Sequence, residues 1–169
     1  MHSDSKPHRR EGGFPVDQPT DALKADHHLV RQLFDRYLNT QDLNVKKDVG
    51  PQLLLLLDMH TRLEEGVFYV RVRDVDPALV DRCENDHEQA RQLMEQLDGM
   101  DEGDPQTDRM FRQLADSIFA HIDTEEQQLF PKVQQAKLDL TTIGLEMEAF
   151  EASMVAARAI APEQPGIRQ

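Results

Sequence analysis

Four histidines and two glutamates recur in register in this chain, at a spacing that suits metal ligands. Asp26-His27 is followed by His60-Thr-Arg-Leu-Glu64-Glu65, and Asp86-His87 by His121-Ile-Asp-Thr-Glu125-Glu126. His27 and His87 are 60 positions apart, while His60 and His121, like Glu64 and Glu125, are 61 apart. The flanks repeat as well, DHHLVRQL at 26–33 answering DHEQARQL at 86–93. Residues four apart on a helix stack one turn above the other on nearly the same face. His60 with Glu64, and His121 with Glu125, therefore each present an imidazole beside a carboxylate. That donor pair suits iron and, less selectively, manganese or zinc.

Charge favours two ions over one. Four imidazoles and two carboxylates carry −2, and two ferrous ions with a hydroxide bring the site to about +1, tolerable where bare charge is costly. One ion would be saturated by six donors, whereas two ions share them and keep positions open for O2, peroxide or nitric oxide. The expected ligands are His27, His60, Glu64, His87, His121 and Glu125, with no separate catalytic side chain. His28 neighbours His27, and a rotation of the helix would exchange them. Glu65 and Glu126 read as second-layer acids or as direct ligands. Asp26 and Asp86 read as imidazole-orienting groups or as surface carboxylates. Cys83 reads as a buried inert thiol, and Tyr37 and Tyr69 have no spacing that ties them to the site.

Helices must carry these residues inward. Leu23, His27, Val30, Phe34 and Leu38 form one stripe of a helix opening near Thr20 or Asp21. A second helix follows Asn44 and runs to about Arg73, kinked at or beginning from Gly50-Pro51. Asp76-Pro77 opens a third and Asp104-Pro105 a fourth, each an acidic cap with proline at the first helical position. Pro131 disturbs the last turns of the fourth. A fifth helix covers roughly 139–160, and strand signals are nearly absent. The pattern predicts an all-α fold, an antiparallel up-down four-helix bundle with an additional C-terminal helix. Residues 1–19 read as a disordered arm, 20–160 as one domain and 161–169 as a disordered tail.

The formal net charge of −13 argues against nucleic acid and anionic membranes as partners. A single cysteine excludes an internal disulfide and points to a reducing compartment. With no apolar signal core and no spanning run, a cytoplasmic protein is expected. The fifth helix is the expected contact for a partner or for a second copy of the chain in a homodimer.

Taken together, DHHLVRQLF at 26–34, HTRLEEGVFY at 60–69, DHEQARQL at 86–93, HIDTEEQQLFP at 121–131 and IGLEMEA at 143–149 resemble the hemerythrin-like HHE cation-binding domain over about 20–160. The resemblance implies a four-helix bundle around a non-haem di-iron, oxo- or hydroxo-bridged centre. Oxygen-carrying hemerythrins have a further histidine where this chain has Arg91, and an aspartate where it has Glu126. The chain is closer to the bacterial H-HxxxE-H-HxxxE subgroup. That subgroup implies a small diatomic or peroxide ligand, with catalase- or peroxidase-like chemistry, nitric oxide binding, an oxidative-stress role, or iron or oxygen sensing through a partner.

Overall fold

The computed structural model describes residues 12–160. His2, His8, the first eleven residues of the expected arm and the whole expected tail lie outside the described residues.

Every regular element among the described residues is helical, giving the all-α bundle with an extra C-terminal helix. α1 spans Pro19–Leu38 and α2 spans Leu43–Leu63, capped by the Asp42 carboxylate on the Asn44 amide. α2 thus begins before Gly50-Pro51 and carries Pro51 inside it. It continues without a break through a π turn, Glu64–Phe68, then α3 at Tyr69–Val72 and a 3-10 turn at Arg73–Val75. α4, Pro77–Leu97, starts on the Asp76 cap, and α5, Pro105–Thr124, starts on the Asp104 cap. α5 passes into a second π turn, Glu125–Leu129, and then α6 at Phe130–Gln135, with Pro131 in the first turn of α6. Pro131 lacks an amide hydrogen, so it is tolerated where the helix restarts. α7 is Leu140–Ile160.

α1 and α2 pack together, as do α4 and α5, and α1–α5 and α2–α4 contacts close the ring. The core falls into two separate apolar clusters. One gathers Val30, Phe34, Leu53, Leu57, Phe111, Leu114 and Ile118. The other gathers Leu23, Leu63, Phe68, Val80, Phe130 and Met147, and α7 seals it. Along each main helix the ligand candidates sit between members of the two clusters, so the polar residues form a layer across the bundle.

α7 leans on the first π turn, where Gly66 makes room: a Cβ there would lie 2.7 Å from the Phe150 ring. Residues 12–18 do not hang free of the bundle. Phe14 packs on the second cluster, and the Val16 carbonyl sits where a Cβ on Gly144 would be only 1.8 Å away. Gly144→Ala is therefore expected to push this segment off α7 at a cost of about 1–3 kcal/mol. Faster proteolysis within 12–18 at unchanged metal content is the expected readout; an unchanged cleavage rate would contradict it. No helix among the described residues is long and apolar enough to cross a membrane.

Candidate metal centre

The two π turns shape the site. In each, an amide bonds five residues back instead of four: Tyr69 N–H to the Glu64 carbonyl, and Phe130 N–H to the Glu125 carbonyl. One turn then holds an extra residue, and the helix beyond it is rotated relative to a plain α-helix. Glu64 and Glu125 stay on the inner face below His60 and His121. Tyr69 and Phe130, equivalent in the repeat, are carried inward too.

All six predicted ligands are buried: Glu64 and Glu125 at 0%, and the four histidines at 1–4%. His27, His60, Glu64 and Glu125 offer atoms within 4.8 Å of one another, and Glu64, His87 and His121 form a second such group. Glu64 belongs to both. Glu125 Oε1 lies 3.1 Å from His27 Nε2 and 3.5 Å from His121 Nε2, so it too reaches across. His28 is exposed on the outer side of α1 and takes no part.

Each imidazole is oriented from behind by one carboxylate. His60 Nδ1 meets Asp26 at 2.9 Å and His121 Nδ1 meets Asp86 at 3.1 Å. His87 Nδ1 meets Glu65 at 2.8 Å and His27 Nδ1 meets Glu126 at 2.7 Å. With Nδ1–H donating outward, every Nε2 points into the layer, where loss of its proton frees a lone pair for a cation, the usual arrangement behind metal-bound imidazoles. Glu65 and Glu126 thus stand behind the histidines.

The arrangement fits a cation. Four of the five buried side-chain N and O atoms that make no well-formed hydrogen bond among the described residues are here: His60 Nε2, Glu64 Oε2, and His27 Nε2 and Glu125 Oε1, which approach each other at 3.1 Å. Buried polar atoms are rarely left unpaired, and these face one another. Burial alone would strip protons from His60, but Glu64 and Asp26 outweigh it and hold the pKa up to about 10. His121 is likewise held at about 10, where burial is overcome by Glu125, Asp86 and Glu64. Burial would raise Glu64, yet His60, His121 and His87 keep it well below the usual carboxylate range. Ionised carboxylates around these rings demand positive charge, which protons or metal ions can supply.

Tyr69 is the site residue that sequence spacing missed. Its buried hydroxyl donates its one proton to Glu125 Oε2 at 2.5 Å and lies 3.2 Å from Glu64 Oε1, the alternative acceptor. It also lies 3.3 and 3.4 Å from His87 and His121 Nε2. Burial and the flanking Glu125 and Glu64 push its pKa well above that of free tyrosine, so it keeps its proton. Phe130, its counterpart, stacks over His27 at 5.9 Å with no polar atom to offer. Cys83 is buried, and burial with Glu125 and Glu64 nearby keeps the thiol protonated. Tyr37 is remote, its hydroxyl on Asp108 near the far end of the bundle.

Fold and site together define a helical bundle with an internal histidine–carboxylate layer able to hold metal. The chain belongs to the hemerythrin HHE cation-binding domain family, whose pattern matches residues 18–133. A solved structure of an HHE cation-binding domain-containing protein from Mycobacterium kansasii, an Rv2633c homolog, superposes with a TM-score of 0.66. It is 20% identical and covers 85% of this chain and 90% of its own. A protein named DNA nickase from Nostoc sp. is 27% identical over 115 residues; the match takes in 68% of this chain but 33% of that longer relative.

Proposed function

We propose that this chain holds two iron ions, one by His27 and His60 and one by His87 and His121, with Glu64 and Glu125 shared between them. Zinc or manganese are the alternative occupants that the donor set admits. The observation that carries the reading is the inward facing of four imidazole Nε2 atoms and two buried carboxylates, several of them without any other partner. Bound iron would supply a redox-active Lewis acid for O2, peroxide or nitric oxide. The chain's own residues do the rest. Asp26, Glu65, Asp86 and Glu126 fix the imidazole tautomers and raise their donor strength. The two apolar clusters keep bulk water from the layer. Tyr69 holds a proton at its hydroxyl oxygen within reach of both shared carboxylates, the one phenol placed to give a proton into the layer.

An oxidative-stress role in a reducing, cytoplasmic setting is part of this proposal, on the strength of the donor set and the single buried cysteine. The nickase activity in the name of the Nostoc relative is not assigned to this chain, whose net charge of −13 opposes phosphate backbones. A second reading, a non-catalytic iron or oxygen sensor, draws on the seating of α7 against the first π turn. Movement of Glu64 would reach Phe150 through Gly66, and α7 displays Leu145 and Val155 at 51% and 53% exposure to a partner or a second copy.

The test is iron analysis after anaerobic loading, followed by optical spectra in air and after H2O2. About two irons per chain, charge-transfer absorption and O2 release from H2O2 are expected. One iron or none per chain would overturn the di-iron reading, and two irons without O2 release would favour the sensor.

A further inference from the structure

The internal repeat allows the surroundings of the two proposed ion positions to be compared residue by residue, and they are unequal. Arg31 and Arg91 are equivalent, 60 positions apart, as are Glu126 and Glu65 behind the imidazoles. Arg91 Nη2 grips both oxygens of Glu65, at 3.0 and 2.9 Å. Arg31 instead binds Asp123 at 3.0 Å and lies 4.9 Å over the Phe119 ring. Glu126 has no lysine or arginine within ion-pair distance among the described residues, and Lys24 and Arg31 act on it only from farther off.

The cause lies one helix away. Where the second half carries Phe119 and Asp123, the first carries Asp58 and Arg62, each 61 positions earlier. Asp58 and Arg62 pair with each other at 3.0 Å. Arg91 therefore meets no ring and no free acid on α2, and turns to Glu65. A second difference runs in the same direction. Asp26, behind His60, is fully buried, while Asp86, behind His121, is 28% exposed. A carboxylate shared with a guanidinium, or opened to water, lends less negative charge to the imidazole it orients.

We propose that the two ion positions differ in affinity: the His27/His60 position is the tight one, and Arg91, by occupying Glu65, makes the His87/His121 position the labile one that empties first. This rests on the two-ion reading above. It gives the chain a state holding one ion over a range of metal concentration.

Titration of the metal-free full chain with Co2+, followed by visible absorption and calorimetry, tests it. Two equivalents with affinities at least about tenfold apart are expected. Arg91→Gln should raise the weaker affinity and narrow the gap. Glu126→Gln should weaken the tighter phase and leave the weaker one in place, and it carries the test alone if the Arg91 variant does not fold. Two equivalents of equal affinity would overturn the proposal. So would a weaker second phase in Arg91→Gln, which would make Arg91 an anchor for Glu65, or an effect of Glu126→Gln on the weak phase. A single equivalent per chain would overturn the two-ion reading, and this inference with it.

Discussion

Glu64→Ala is expected to weaken binding at both ion positions, by more than the ~10–100-fold typical of losing an outer partner of a ligand. Glu64 is the residue common to both groups of candidate donors. Its Oε1 lies 3.0 Å from His87 Nε2 and 3.4 Å from His60 Nε2, on opposite sides of the layer. Removing it takes a negative charge from each position at once, and no described neighbour can replace it. Glu65 faces away from the layer, bound to His87 Nδ1 and Arg91. Glu65→Ala should therefore touch only the His87 side, by the smaller outer-partner factor. Metal per chain after anaerobic loading and desalting separates the cases. A Glu64→Ala chain that retains two ions would remove this residue from the bridge.

Phe68→Ala carries the largest expected loss of stability. Phe68 closes the first π turn and is fully buried in the second apolar cluster. Its ring is edge-on to Phe130 at 5.6 Å and tilted against Tyr69 at 6.1 Å. Phe130 in turn lies parallel over His27. Truncation leaves a cavity that the surrounding helices, tied to one another, cannot close, and such changes cost about 3–5 kcal/mol. That is a large share of the roughly 5–15 kcal/mol that holds a domain folded. For a chain of this size the melting temperature should fall by roughly 10 °C. Phe119→Ala, on the rim of the bundle, should cost much less. Thermal unfolding of the metal-free protein measures both, and equal shifts in the two variants would refute the claim that Phe68 braces the layer.

Much of this was legible in the chain. The period-3.6 stripes and the Asp-Pro starts located the helices, because burial and capping act locally and leave marks at fixed offsets. The repeat singled out His27 over His28, and the structure brings His27 into the layer. The π turns were not legible. Their extra residue is visible only as the matching Glu-Glu pairs at 64–65 and 125–126, which say nothing of backbone pitch. Counted on a plain α-helix, Tyr69 points away from Glu64, so its approach to the site went unseen. Aligned on their shared His and Glu-Glu, HTRLEEGVFY at 60–69 and HIDTEEQQLF at 121–130 place Tyr69 opposite Phe130, the one signal that could have prompted the comparison. The outward turn of Glu65 and Glu126 was legible, because one residue past an inward glutamate lies about 100° round the helix. Phe14 and Val16 sit in a stretch without periodicity; the second apolar cluster receives Phe14, and the bare face of Gly144 on a distant helix receives the Val16 carbonyl.

The two apolar clusters never merge into one core, and what joins them is a plane of six acids and four imidazoles. That makes the ligand layer a seam in cooperativity. With cations in it, the seam is the most strongly bonded section of the bundle, and the two ends should melt as one unit. Emptied of cations, the same seam is held by shared protons between groups that repel when wrongly charged, and the two clusters are joined chiefly through the helices that run from one to the other. Metal loading is therefore expected to sharpen the unfolding transition of the bundle as well as to raise its midpoint.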